Sequence, residues 1–161
     1  MRQLTRGVTV AALILLGGCS GISAYRSAPD HNLTVHTQAH TAAFFTRVST
    51  ALDIYSVDAD CKLRYQGTLQ LNRSTVALGV PVRQRSLLVF RFDRAAYLAG
   101  TSAEITDATL LTPKFRERYT ADVRYAHGIY DVHLFARRWG NRAPGWRLPF
   151  LPLKDCRPLK R

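Results

Sequence analysis

The stretch Lys62-Leu63-Arg64-Tyr65-Gln66-Gly67-Thr68-Leu69-Gln70-Leu71 decides the fold prediction, because two kinds of residue alternate along it without exception. The apolar or small residues would share one face, and they are Leu63, Tyr65, Gly67, Leu69 and Leu71. Polar residues fill every position between them. A period of two residues is typical of a β-strand buried on one face, whereas an amphipathic helix repeats about every 3.6 residues. The sequence therefore predicts a half-buried strand here, with the apolar set facing the core.

Similar short segments flank this strand in both directions. Strand-like runs are predicted at 48–57, 76–80, 86–92, 119–125 and 130–134, and 104–111 fits a strand less clearly. Turn-forming residues separate these runs, and the sequence has no pattern of a long amphipathic helix. Several short strands divided by turns are typical of antiparallel β-proteins with two layers. The predicted fold class is all-β, a single antiparallel β-sandwich over residues 44–161.

The first 19 residues have the features of an export signal. Arg2 and Arg6 precede the almost wholly apolar run 8–16, which is far shorter than the roughly 20 residues that span a bilayer. Gly17 and Gly18 then precede Cys19, and the segment Leu16 to Cys19 resembles the lipobox of bacterial lipoproteins. The alternative is an ordinary signal peptide that a cysteine follows by chance.

The lipobox resemblance implies that the thiol of Cys19 receives a diacylglycerol, that cleavage occurs before Cys19, and that its new amine is acylated. Several acyl chains, at about 0.8 kcal/mol per buried methylene, would make the attachment effectively permanent. By the same resemblance, Ser20 in place of an aspartate favours the outer membrane. We therefore expect a signal peptide at 1–18, a flexible lipidated tether at 19–43 and the folded domain at 44–161. The folded part resembles small envelope lipoproteins with immunoglobulin-like or prealbumin-like sandwiches, in architecture only.

The two remaining cysteines, Cys61 and Cys156, form an even pair in a chain predicted to be exported. Exported proteins keep disulfides because their compartment is oxidising, so we predict a disulfide between them. Such a bond would close a loop of about 95 residues and stabilise the fold by about 4.7 kcal/mol in the chain-entropy treatment. A metal-binding or redox pair is the alternative, although no C-x-x-C spacing supports it.

The chain is strongly basic, with 23 lysines and arginines against 11 aspartates and glutamates. A positive surface attracts anionic partners, which here would be lipid head groups, lipopolysaccharide phosphates or an acidic envelope protein. A solvated, arginine-rich surface without a partner would have the same composition. Nucleic acid is not expected as a partner, because an exported protein meets little of it. The membrane itself would be reached through the lipid on Cys19.

The most distinctive segment interleaves arginine with tryptophan near the end of the chain. Its candidate partner-binding residues are Arg137, Arg138, Trp139, Arg142, Trp146 and Arg147. Arginine and tryptophan are enriched where binding energy concentrates, and a guanidinium stacks well on an indole. Glycines and prolines predict an irregular loop from 139 to 152. In the alternative interpretation, the tryptophans fold back and cap the sandwich.

Catalytic and metal-binding patterns are weak. The sequence has no G-x-S-x-G, no H-E-x-x-H and no phosphate-binding glycine loop. His36 and His40 have a helical metal-ligand spacing without further ligands, and the carboxylates near Asp58 lack the calcium-loop pattern. No catalytic residue, metal or cofactor is predicted. We expect an outer-membrane-anchored periplasmic lipoprotein with a binding or structural role. The alternatives are a component of a secretion or transport complex and, less favoured, a cell-envelope-modifying enzyme.

Overall fold

The computed structural model describes residues 23–39, 46–96, 100–126 and 129–158. Within these ranges the regular structure is β-strand, apart from one 3-10 turn at Leu153–Asp155, so the prediction of an all-β chain is confirmed. The strands are β1 (Leu33–Ala39), β2 (Thr46–Val57), β3 (Leu63–Gln70), β4 (Thr75–Leu78), β5 (Ser86–Ala96), β6 (Thr101–Leu111), β7 (Glu117–Ala126), β8 (Ile129–Arg138) and β9 (Trp146–Leu148). In the same ranges, no helix is long and apolar enough to span a lipid bilayer.

The strands form two sheets. One is antiparallel with the order β3-β2-β5-β6, and the other has the order β4-β1-β7-β8-β9. In the second sheet β1 pairs in parallel with β7, with Val35 opposite Ala121, while the other pairs are antiparallel. The prediction of a wholly antiparallel arrangement is therefore wrong at this one pair. A short β4 at the sheet edge agrees with Pro81, which cannot donate a ladder hydrogen bond.

One hydrophobic core joins the two sheets. The fully buried Leu52, Leu88 and Phe90 come from the first sheet, and the fully buried Leu33 and Ala121 come from the second. They belong to a single cluster, to which β2, β5, β7 and β8 each contribute alternate residues. In β2, β7 and β8 this alternation matches the pattern in the sequence, because successive side chains in a strand point to opposite faces. The run in β5 is instead almost continuously apolar.

The predicted tether is wrong over much of its length. Within the range 19–43, Leu33 and Val35 are completely buried, and β1 lies between β4 and β7 in the second sheet. The sequence does carry a signal for this strand, since Leu33, Val35 and Thr37 alternate with Thr34 and His36. That alternating run is short and directly follows a proline and several polar residues, so it did not indicate a strand by itself. Residues 1–22, which include the predicted signal peptide and Cys19, lie outside the described ranges.

Residues 23–32, which we call the strap, are bound to the two sheets. Ala24 forms a parallel bridge with Thr68, and the N–H of Thr68 donates to the carbonyl oxygen of Ser23 at 2.9 Å. Further along, the N–H of Ala28 donates to the carbonyl oxygen of Gly79 at 3.0 Å. The Asn32 amide then exchanges two hydrogen bonds of 2.8 Å with the backbone of Val80. The strap therefore belongs to the fold.

A β-bulge divides β3 into two halves. Tyr65 pairs with Tyr55 while Gly67 pairs with Ile54, which leaves Gln66 as an extra residue. An extra residue reverses the face to which later side chains point. Leu63 and Tyr65 therefore lie on the outer face, 41% and 38% exposed, although their predicted position was in the core. Leu71, beyond the bulge, is buried as predicted.

The molecule has two distinct ends. Val57, Ser86 and Leu111 mark one end of the first sheet, and the short connection from Leu111 to Glu117 brings one end of the second sheet beside it. We call this the disulfide end, because Cys61 and Cys156 are joined there. At the opposite end, the β7–β8 hairpin places Tyr125 and Tyr130 against Phe92 of β5, at ring-centroid distances of 4.5 and 5.1 Å. We call this the hairpin end.

Candidate binding surface at the disulfide end

A disulfide joins Cys61 to Cys156, as predicted, with their Cα atoms 6.1 Å apart. Arg85 supports the bond, because its Nη1 donates to Cys156 Sγ at 2.9 Å and to the carbonyl oxygen of Arg157 at 3.1 Å. The bond connects the turn after β2 to the last described residues. It therefore fixes the C-terminal segment to the first sheet.

The predicted irregular loop after Trp139 contains a strand. β9 pairs with β8, with Trp146 opposite Ala136, so the arginine–tryptophan segment is a hairpin whose tip holds Arg142. Gly140 adopts a φ of 77° and turns the chain after β8, a conformation that favours glycine. Gly145 allows the return strand to approach closely, since a Cβ there would lie 2.7 Å from the carbonyl oxygen of Ala136.

The six predicted partner-binding residues are all exposed, but they do not form one patch. Arg138 and Trp139 lie at the disulfide end, where the N–H of Trp139 donates to the carbonyl oxygen of Arg116 at 2.7 Å. By register, Arg137 and Arg147 lie on the outer face of the second sheet, opposite Arg118 and Phe135. Trp139 is 65% exposed and caps nothing, whereas Trp146, at 45%, partly covers the edge of the core near Leu134.

Trp139 instead pairs with residues that sequence reasoning missed. The guanidinium of Arg118 lies 4.1 Å from the centre of its ring, within the range of a cation–π contact. Phe115, which is 67% exposed, has the Arg116 guanidinium 5.4 Å from its ring centre. The alternation of basic and other residues in Lys114-Phe115-Arg116-Glu117-Arg118 was the available signal. Its meaning depends on the fold, because only the β7–β8 pairing brings this segment beside Trp139.

These side chains surround a cleft of about 660 Å³ beside the strap. Its lining residues are Pro29, Asp30, His31, Asn32, Val82, Lys114, Phe115, Arg116, Glu117, Arg118 and Trp139. Arg118 closes the side formed by the strap, since its Nη1 donates to the carbonyl oxygen of His31 at 3.4 Å. The cleft therefore combines two exposed aromatic rings with basic side chains.

One of the two carboxylates in the cleft is engaged within the fold. Glu117 Oε2 accepts a hydrogen bond of 2.7 Å from the Tyr119 hydroxyl, which itself accepts one of 3.0 Å from the N–H of Lys114. Burial, followed by this hydrogen bond to Glu117, raises the pKa of Tyr119 to about 12. Tyr119 therefore remains protonated near neutral pH, and Glu117 has an internal partner beside the basic side chains of the cleft.

Three other histidine and aspartate side chains have partners within the fold. His133 Nε2 lies 3.1 Å from Asp131 Oδ2, and His36 Nδ1 lies 3.0 Å from Thr75 Oγ1. Asp58 Oδ1 accepts two backbone hydrogen bonds in its own turn. His40 lies outside the described residues. Among those that are described, no group of three or more histidine, cysteine or acidic side chains is placed to hold a metal ion.

At the hairpin end, burial and the nearby Asp131 raise the pKa of Asp107. Burial followed by the charge of Asp107 raises the pKa of Tyr130, whose ring packs on Phe92. Asp107 and Asp131 therefore lie close enough for their charges to interact.

No family model matches the chain, and neither a curated protein nor a solved structure is significantly similar to it.

Proposed function

We propose that this chain is a lipoprotein anchored in the outer membrane through Cys19, whose folded part faces the periplasm as a single immunoglobulin-like or prealbumin-like β-sandwich. Its role is to bind or to support other components of the cell envelope, without catalysis. The attachment rests on the lipobox, and the binding role rests on the exposed arginine and aromatic side chains at the disulfide end.

The observation that carries this proposal is the pairing of Cys61 with Cys156. The two residues are 95 positions apart in sequence, and the fold brings them within bonding distance. A disulfide of this kind supports an oxidising compartment such as the periplasm. Of the three cysteines in the chain, the disulfide leaves only Cys19 for lipid.

The exposed arginines support a binding role because they are charged and because they contribute little to the stability of the fold. Solvent-exposed ion pairs contribute at most about 1 kcal/mol to folding, so the exposed arginines of the 137–147 segment add little stability. Trp139 is likewise not part of the core cluster. Side chains that do little for the fold and are enriched in binding hot spots are candidates for contact with a partner.

A triple substitution tests the binding role. Purified protein without residues 1–18 and carrying Cys19→Ser should sediment with envelope fragments, and Arg138→Ser, Arg142→Ser and Arg147→Ser together should weaken that association. The loss should be largest at low ionic strength, because exposed charges are screened over a Debye length of about 10 Å at 0.1 M salt. Thermal stability should hardly change.

A second triple variant is the matched control. Arg47, Arg94 and Arg124 are also exposed but lie toward the hairpin end, so their replacement by serine removes the same charge elsewhere. Equal binding losses in the two triple variants would show that only net charge matters. Unchanged binding together with a much lower melting temperature in the first variant would make its arginines structural.

A further inference from the structure

Exposed apolar side chains concentrate at the disulfide end. Among the described residues, the exposed large hydrophobic side chains at or near this end are Leu63, Tyr65, Phe115, Trp139, Trp146 and Leu151. The other two, Ile105 and Ile129, lie toward the hairpin end. Single exposed apolar residues are ordinary on protein surfaces, but a concentration at one end marks a contact with something apolar.

Basic side chains surround these apolar groups. Lys62 and Arg64 flank Leu63 at the start of β3, and Lys114 and Arg116 flank Phe115 in the β6–β7 connection. All four are exposed. The hairpin end carries charges of both signs, since the exposed Arg47, Arg94 and Arg124 lie there with the exposed Glu104 and Asp131. The combination of exposed apolar side chains with flanking basic ones is therefore a feature of the disulfide end.

The strap determines where an anchor at Cys19 must be. Ser23 is held beside Thr68 by a backbone hydrogen bond, and only three residues separate it from Cys19. Four steps along the chain span at most ~14 Å. Because the bridge between Ala24 and Thr68 is parallel, residues 23–25 run in the same direction as β3, which begins at the disulfide end. The chain before Ser23 therefore comes from the side of the disulfide end.

We propose that the disulfide end lies against the anionic lipid surface in which Cys19 is anchored, with Phe115 and Trp139 at the level of the lipid head groups. This inference rests on the lipid anchor of the proposed function and names the partner of the same surface. The domain would then stand end-on, close to the bilayer, instead of being held away from it on a long flexible tether.

Both side-chain types suit the head-group region. Aromatic rings with an apolar body, tryptophan above all, favour the boundary between hydrocarbon and water. Lysine and arginine are attracted to an anionic membrane surface, and the attraction fades within a Debye length. The short span from Cys19 to Ser23 keeps the basic end close to the anchored surface. The hairpin end, at the opposite end of the sheets, would then face away from the lipid surface.

The two tryptophans of the chain make the orientation measurable. The full-length lipidated protein carrying Trp146→Phe retains Trp139 as its one fluorophore of this type. It is reconstituted into vesicles of phosphatidylcholine with phosphatidylglycerol, in which acyl chains brominated near the head group quench an adjacent indole. The control variant combines Trp139→Phe, Trp146→Phe and Ile129→Trp, because Ile129 is 70% exposed at the hairpin end. Flotation of the vesicles reports attachment separately.

We expect both variants to float with the vesicles, and the emission of Trp139 to fall when brominated lipid is present. The reporter at position 129 should keep its emission, and the loss at Trp139 should be smaller in pure phosphatidylcholine. Flotation without quenching of Trp139, or with equal quenching at position 129, would overturn the orientation while leaving the anchor intact. Failure of both variants to float would overturn the anchor and this inference together.

Discussion

Two glycines, Gly67 and Gly79, allow the strap to pack closely against the two sheets. A Cβ on Gly79 would lie 2.0 Å from the carbonyl oxygen of Ala28, and a Cβ on Gly67 would lie 2.6 Å from the backbone of Tyr25. Atoms of larger side chains cannot approach that closely, so the strap lies where it does because these positions have no side chain. Gly67 also has a φ of 139°, and this backbone conformation would favour glycine even without the close contact.

Gly79→Ala should therefore displace the strap. Overpacking of this kind lowers the free energy of unfolding by about 1–3 kcal/mol. The added Cβ would meet backbone atoms of Ala28, which cannot turn aside as the end of a flexible side chain can, so the strap itself must move. Limited proteolysis should cut the variant N-terminal to Leu33 faster than the wild type, and urea unfolding should show the lower free energy.

Gly100→Ala is the matched control for this prediction. Gly100 has a φ of 59° but no heavy atom within 4 Å of a built Cβ, so its substitution strains the backbone without touching the strap. Its proteolysis before Leu33 should match that of the wild type. Equal cleavage rates in the two variants would show that close packing at Gly79 does not fix the strap.

Individual residues were predictable where simple chemistry decides their position. The pairing of Cys61 with Cys156 followed from counting cysteines in a chain predicted to be exported. Phe115 and Arg118 were not identified, because their role depends on the position of Trp139 across a strand pair. Sequence reasoning finds clusters that are continuous along the chain, such as 137–147, and misses those that the register of a sheet assembles.

At the scale of elements, the alternating strands were predictable and their long-range pairings were not. The patterns in β7 and β8 indicated the correct buried faces, because alternate residues of these two strands are buried. In β2 the five residues 50–54 are all buried, so its buried face is less distinct. β1 was missed, and its parallel pairing with β7 joins residues more than 80 positions apart. The bulge at Gln66 left no trace in the pattern, since the alternation continues unbroken on both sides of it.

The bulge predicts opposite outcomes for two identical substitutions. Leu71→Ala removes a 3% exposed side chain from the core cluster and should cost about 2–5 kcal/mol of unfolding free energy. Leu63→Ala removes a 41% exposed side chain of the same apparent face and should cost much less. Urea unfolding of the two variants measures both values. Similar losses would mean that the strand runs through without a bulge and that Leu63 is buried.

At the scale of the whole molecule, the difference between the two ends connects the fold to the proposed function. The disulfide and the arginine–aromatic cleft lie at the disulfide end, and the strap passes beside that cleft. Composition predicted a basic protein, but it could not predict that basic and exposed aromatic side chains gather at one end. That arrangement depends on which loops the topology places together.

The attachment of Cys19 to lipid is the central claim, and metabolic labelling with radioactive palmitate tests it most directly. The wild-type protein should incorporate the label, and the intact mass of the purified protein should show the loss of residues 1–18 and the addition of acyl chains. Cys19→Ser should abolish the labelling. Label that persists in Cys19→Ser, or a wild-type protein that never acquires label, would contradict the account.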